Sequence, residues 1–229
     1  MGLDMKSLLI GTGLVLCALT AQQAAAQPAG QTGTAAETRK DAAMLAQLDK
    51  VRADPARYAA ALKQGAKLAT FCANCHGENG NSTYPDTPNL ASQNEHYLLE
   101  QMLKFADGRR RNEFKERLIR VMTESERISM TLYYARQPVT TKVAPANRPL
   151  LAQGKTYYEK ACFPCHGADG HGSETYARLA GQQESYVTLA LRRYRDGSDV
   201  RMDPRMTAST KLMDETTIRA VAAYVAAMP

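Results

Sequence analysis

Two five-residue stretches hold the residue types best suited to chemistry: Cys72-Ala73-Asn74-Cys75-His76 and Cys162-Phe163-Pro164-Cys165-His166. Two thiols three positions apart lie about one helical turn from each other. They can therefore reach both vinyl groups of one porphyrin and form two thioethers. The adjoining His can then serve as proximal ligand to the iron. A zinc site built from two C-x-x-C pairs would leave His76 and His166 without work, and a thioredoxin-like redox pair requires no His. The repetition, with Gly77 and Gly167 following each His, points to two covalently bound haem c groups. They are held by Cys72, Cys75 and His76 in one half and by Cys162, Cys165 and His166 in the other.

The elements that position these motifs read as helices. Asp54-Pro55 is a helix start, with Asp as N-cap and Pro in the first turn, and this helix runs into the first motif. A polar loop rich in Gly and Pro follows. A second helical stretch spans about Glu95 to Ala106 and stops at Asp107-Gly108. Thr123-Glu124-Ser125-Glu126 is a capping box opening a third, which Pro138 ends. Residues 150–161 lead into the second motif in the same way. Glu184 to Tyr194 repeats the middle helix, and Asp214 caps a last one.

The duplication can be measured. Cys72 and Cys162 are offset by 90. Asn89-Leu90-Ala91-Ser92-Gln93 matches Arg178-Leu179-Ala180-Gly181-Gln182 at 89, as Tyr97 matches Tyr186 and Gly108 matches Gly197. Tyr133 and Tyr224 are offset by 91. The expected organisation is a signal peptide (1–26), an N-terminal extension (27–53), a first haem domain (54–138), a linker (139–149) and a second haem domain (150–229). The extension carries an apolar stripe of Ala42, Met44, Leu45, Leu48 and Val51. The expected fold class is all-α: two tandem haem domains, similar to cytochrome c, with an N-terminal helical extension. Domains this small bury limited cores, and haem supplies the missing apolar volume.

The N-terminus carries Lys6, an apolar run from Leu8 to Thr20, and Ala24-Ala25-Ala26 as a cleavage site. The run is short for a bilayer span. Four of the five cysteines belong to the haem motifs, which leaves no disulfide framework. An exported chain bearing C-x-x-C-H points to the bacterial periplasm. The net charge of +6 favours acidic protein partners, with peripheral association with a membrane as a further expectation. Export argues against nucleic acid.

The C-x-x-C-H-G motifs, the Leu-Ala-(Ser/Gly)-Gln-x-x-x-Tyr stretches and the Asp-Gly stops resemble the dihaem cytochrome c4 family. The resemblance covers about residues 60–229. It implies an electron carrier rather than an enzyme, with a His and a Met on each iron. It further implies a quinol-oxidising complex as donor and a terminal oxidase or reductase as acceptor. Met206, in Asp203-Pro204-Arg205-Met206, stands where the family carries its axial Met, and Met202 and Met213 are nearby competitors. The first half departs from this pattern. Counting back seven residues from Met122, the equivalent of Met213, reaches Lys115.

Four readings of the first distal site stay open. Lys115 could ligate as a neutral amine, although deprotonating it at pH 7 costs about 4–5 kcal/mol. Met122 could leave a packing role. His96 could reach over from the middle helix. Finally, the site could be open or hold water, which would suit a dihaem redox enzyme or a small-ligand sensor. No constellation of catalytic acid and base residues stands out. Arg109-Arg110-Arg111 reads mostly as a solvated charged face, or as a partner of haem propionates. Tyr97 and Tyr186 are expected to pack on haem or at a domain interface, and His171 to be solvated.

Overall fold

A computed structural model describes residues 34–140, 148–198, 200–201 and 203–229. The expected signal peptide, most of the expected linker, and Met202 lie outside the described residues. Among those described there is no strand, and no helix is long and apolar enough to cross a membrane.

Each cysteine motif closes a helix. The first is α2 (Pro55–His76), preceded by the extension helix α1 (Ala35–Ala53). Asp54 Oδ1 accepts the backbone N–H groups of Ala56 and Arg57, so the cap expected from the sequence forms. Gly77 ends α2 at φ +74°, and a Cβ there would sit 1.9 Å from Asn81 O. Only glycine tolerates both the positive φ and that approach, which explains the Gly that follows His76. Helices α3 (Glu95–Asp107), α4 (Glu113–Val121) and α5 (Glu124–Ala135) complete the first domain. Thr123 and Glu126 form the capping box of α5.

The second domain repeats the plan with α6 (Arg148–Tyr157), a π-turn at Tyr158–Cys162, α7 (Phe163–His166), α8 (Glu184–Arg195), α9 (Pro204–Thr210) and α10 (Glu215–Ala227). The helix entering this motif is therefore interrupted. Pro164 has no N–H to give to the preceding turn, and a π-bulge is a known response to such a defect. Gly65 lets α2 cross α5, and Gly154 lets α6 cross α10. A Cβ would lie 2.3 Å from Ser129 O in the first case and 2.0 Å from Ala220 O in the second.

Helix α1 belongs to the first domain's core. Met44, Leu48 and Val51 are buried against Ala61, Leu99, Leu103, Ile128 and Leu132. At the positions equivalent to Leu99, Leu103 and Ile128 the second domain has Thr188, Arg192 and Arg219. None of these three is buried, so only the face covered by α1 is apolar. Leu48→Ala removes a fully buried side chain. It should destabilise the first domain by about 2–5 kcal/mol and leave the second domain's unfolding unchanged, as denaturant unfolding read at each haem will show.

The two domains meet about a pseudo-two-fold axis, and the repeated Leu-Ala-x-Gln stretches make the contact. Gln93 donates to Arg178 O (2.9 Å) and accepts from Arg178 N–H (2.6 Å). Its equivalent Gln182 donates to Asn89 O (3.0 Å) and accepts from Asn89 N–H (2.7 Å). Tyr97 N–H donates to Glu174 O, and Tyr186 N–H to Pro85 O. Satisfying buried backbone groups in this reciprocal way fixes the register of one domain on the other.

Candidate haem sites

His76 and His166 are both buried. His76 Nδ1 lies 2.9 Å from Pro88 O, and His166 Nδ1 lies 2.9 Å from Ala177 O. A carbonyl only accepts, so each Nδ1 carries the proton and each Nε2 keeps its lone pair. That tautomer, held by a backbone carbonyl, is the one suited to ligating a metal. Burial, helped by the charge of Lys115, pushes His76 down to about 3. Burial also lowers His166. Both rings are therefore neutral at pH 7. None of Cys72, Cys75, Cys162 and Cys165 is joined in a disulfide. Burial raises Cys72 and pushes Cys162 up to about 12, so these are not activated nucleophiles. Each pair sits beside a His ring whose Nε2 carries the lone pair, which at His76 faces Lys115 Nζ.

Short helices carry the candidate distal residues. Asn112 caps α4, its side chain accepting the N–H of Lys115 at 3.0 Å. Asp203 caps α9 and accepts the N–H of Met206 at 3.3 Å. Lys115 and Met206 thus occupy the same position of the same capped turn, offset by 91. Met206 is half-buried and packs against the second domain's core. Lys115 Nζ lies 2.8 Å from His76 Nε2. Burial and then the neighbouring charge of Arg110 lower the Lys115 pKa, which reduces the cost of presenting a neutral amine.

The other distal candidates have different occupations. His96 Nε2 is 2.9 Å from Asp49 Oδ1 on α1, and Glu174 of the second domain lies on its other side. It bridges the extension and the domain contact and does not face His76. Met122 is the C-cap of α4 and packs against the cluster of Ala69, Leu98, Met130 and Tyr134. It keeps the packing role. His171 is exposed and paired with Asp169.

The arginine run corrects one expectation. Arg109 is not solvated: its side chain is 11% exposed and bound to Asp41 and Asp107. Arg110 and its equivalent Arg201 pair through a backbone bridge at the domain contact. Arg201 is buried, with Tyr97 OH at 2.7 Å, Tyr194 OH at 2.6 Å, and Tyr186 OH also bonded. Arg110 Nη2 also reaches Tyr186 OH, at 3.2 Å. Burial works against ionising Tyr186, but these two guanidiniums bring it down to about 7. Among the described residues neither arginine has a carboxylate partner. Two guanidiniums and three phenols around the domain contact suit the carboxylates of haem propionates. The sequence offered Tyr97 and Tyr186 as a matched pair. Arg201 carried no signal, because its partners lie in both domains.

The comparisons with known proteins agree with this arrangement. The cytochrome c family model matches residues 62–124 and 151–229. A cytochrome c4 of Thiocapsa roseopersicina is 31% identical over 173 residues, covering 70% of this chain and 88% of the relative. The chain belongs to the dihaem cytochrome c4 family. A Pseudomonas aeruginosa cytochrome c4 is 33% identical over 144 residues, 58% of this c4-type chain and 71% of the relative. The fold matches the crystal structure of reduced Pseudomonas stutzeri cytochrome c4 with a TM-score of 0.68 at 24% identity, over 73% of this chain and 98% of that one. A "thiosulfate dehydrogenase electron acceptor" of Thiomonas intermedia is 31% identical, over 77% of this chain and 85% of the relative. This c4-type cytochrome carries two covalently bound haem c groups and works in electron transfer with redox partners. Its paired cysteines, neutral His rings and propionate-ready arginines fit that cofactor. Each haem supplies a one-electron ferric/ferrous couple.

Proposed function

We propose that this is a periplasmic electron carrier, not an enzyme, with two unequally ligated haems. In this reading Cys72 and Cys75 attach the first haem, with His76 and Lys115 as axial ligands. Cys162 and Cys165 attach the second, with His166 and Met206. The observation that carries the reading is the 2.8 Å approach of Lys115 Nζ to His76 Nε2. A buried amine aimed at the proximal imidazole, from the position that holds Met206 in the other domain, supports ligation by Lys115. It leaves no open distal side for substrate, which counts against the enzyme or sensor reading. An amine favours ferric iron more than a thioether does, so the first haem has the lower potential.

The donor is a quinol-oxidising complex, and the acceptor a terminal oxidase or reductase. The Thiomonas relative's name supports a second donor, a thiosulfate dehydrogenase. Rates of reduction by each donor class distinguish the two. Carbon monoxide tests the core of the proposal. Added to the fully reduced protein, it should leave the Soret band unchanged. Rapid binding at one haem would make the first site open.

A further inference from the structure

We propose that α1 is a positioning element for the first haem's distal ligand, acting through the Asp41–Arg109 ion pair. The inference rests on Lys115 as that ligand. Arg109 Nη2 lies 2.7 Å from Asp41 Oδ2, and both side chains are largely shielded, at 11% and 16% exposure. Arg109 also holds Asp107 through its backbone N–H and its Nε. One guanidinium therefore ties α1 to the turn between α3 and α4. Gly108, at φ +83°, reverses the chain inside that turn. Arg110, two residues after Gly108, lies over the Phe105 ring at 4.4 Å. Lys115 Nζ lies over the same ring at 5.7 Å. Asn112 then caps α4 and fixes Lys115 in its first turn.

Two asymmetries coincide. Only the first domain has Lys at the distal position, and among the described residues only its distal turn is ion-paired to α1; the Arg52–Glu174 pair that reaches the second domain does not involve α9. At the position equivalent to Arg109, reckoned from the Gly108–Gly197 match, the second domain has Ser198. The family match begins at residue 62, so α1 lies outside it. A thioether is neutral at every pH, whereas an amine gives up a proton and hydration to bind iron. A Lys ligand therefore gains more than a Met from a turn that is already ordered.

The test uses the full-length holoprotein. Asp41→Asn should loosen the turn and make CO binding at the reduced first haem measurable, where the parent's Soret band does not change. The first haem's midpoint should shift with it, while the second haem, an internal control, stays unchanged. Asp41→Glu should restore both readouts. Arg109→Met gives a second route should Asp41→Asn fail to accumulate. Lys115→Ala is the reference: it should open the first haem to CO fully. If Lys115→Ala opens the site but neither Asp41→Asn nor Arg109→Met alters CO binding or the midpoint, α1 does not position the ligand. If Lys115→Ala itself changes nothing, the ligand assignment fails and this proposal with it.

Discussion

Replacing Lys115 by Met should raise the midpoint potential of the first haem while leaving the second where it is. Axial ligands set haem potentials over about 0.8 V, and a thioether favours ferrous iron more than an amine does. A shift on the order of a tenth of a volt is therefore expected. The substitution asks little of the backbone. Asn112 caps the α4 turn as Asp203 caps the turn holding Met206, and the two residues hold the same place in each. The two haems would become nearly equal, and the step that separates them in a spectroelectrochemical titration would shrink. Unchanged spectra and midpoints would show that Lys115 does not touch the iron.

The second large effect concerns the helix crossings. Gly154→Ala would place a Cβ 2.0 Å from Ala220 O and 2.8 Å from Tyr224 Cβ. Alanine is worth about 1 kcal/mol over glycine in an exposed helix, but here the obstacle is backbone that cannot rotate away. Overpacking of this kind costs about 1–3 kcal/mol, occasionally more. The expected net result is the loss of about 2 kcal/mol from the second domain. Gly65→Ala should weaken the first domain by a similar amount, since its Cβ would meet Ser129 O at 2.3 Å. Chemical denaturation followed at the Soret band measures both. A Gly154→Ala protein as stable as the parent would mean that α6 and α10 can separate freely.

Much of the fold was written in local patterns. The caps at Asp54, Thr123 and Asp214 and the repeated C-x-x-C-H-G motifs are short-range signals, and each forms as read. The short distal helices α4 and α9 were not read as helices, because periodicity needs more turns than they have. They are set by Asn112 and Asp203, whose capping role shows only in the folded chain. Gly65 and Gly154 carried no message alone, since a close approach needs the partner helix to be in place. Arg109 looked solvated because its partner Asp41 sits on the extension, far away in sequence. Lys115 was legible only as a departure from an expected Met. We propose it over His96 and Met122 because those two residues are held elsewhere, by Asp49 and by the apolar cluster beneath α5.

One measurement bears most directly on the unequal ligation of the two haems. Near-infrared magnetic circular dichroism of the fully oxidised protein separates thioether–iron from amine–iron charge-transfer bands. The expected spectrum has one His/Met haem and one His/amine haem in equal amounts, with the amine band lost in Lys115→Met. Two thioether bands, or a high-spin component in the parent protein, would contradict Lys115 as the ligand of the first haem.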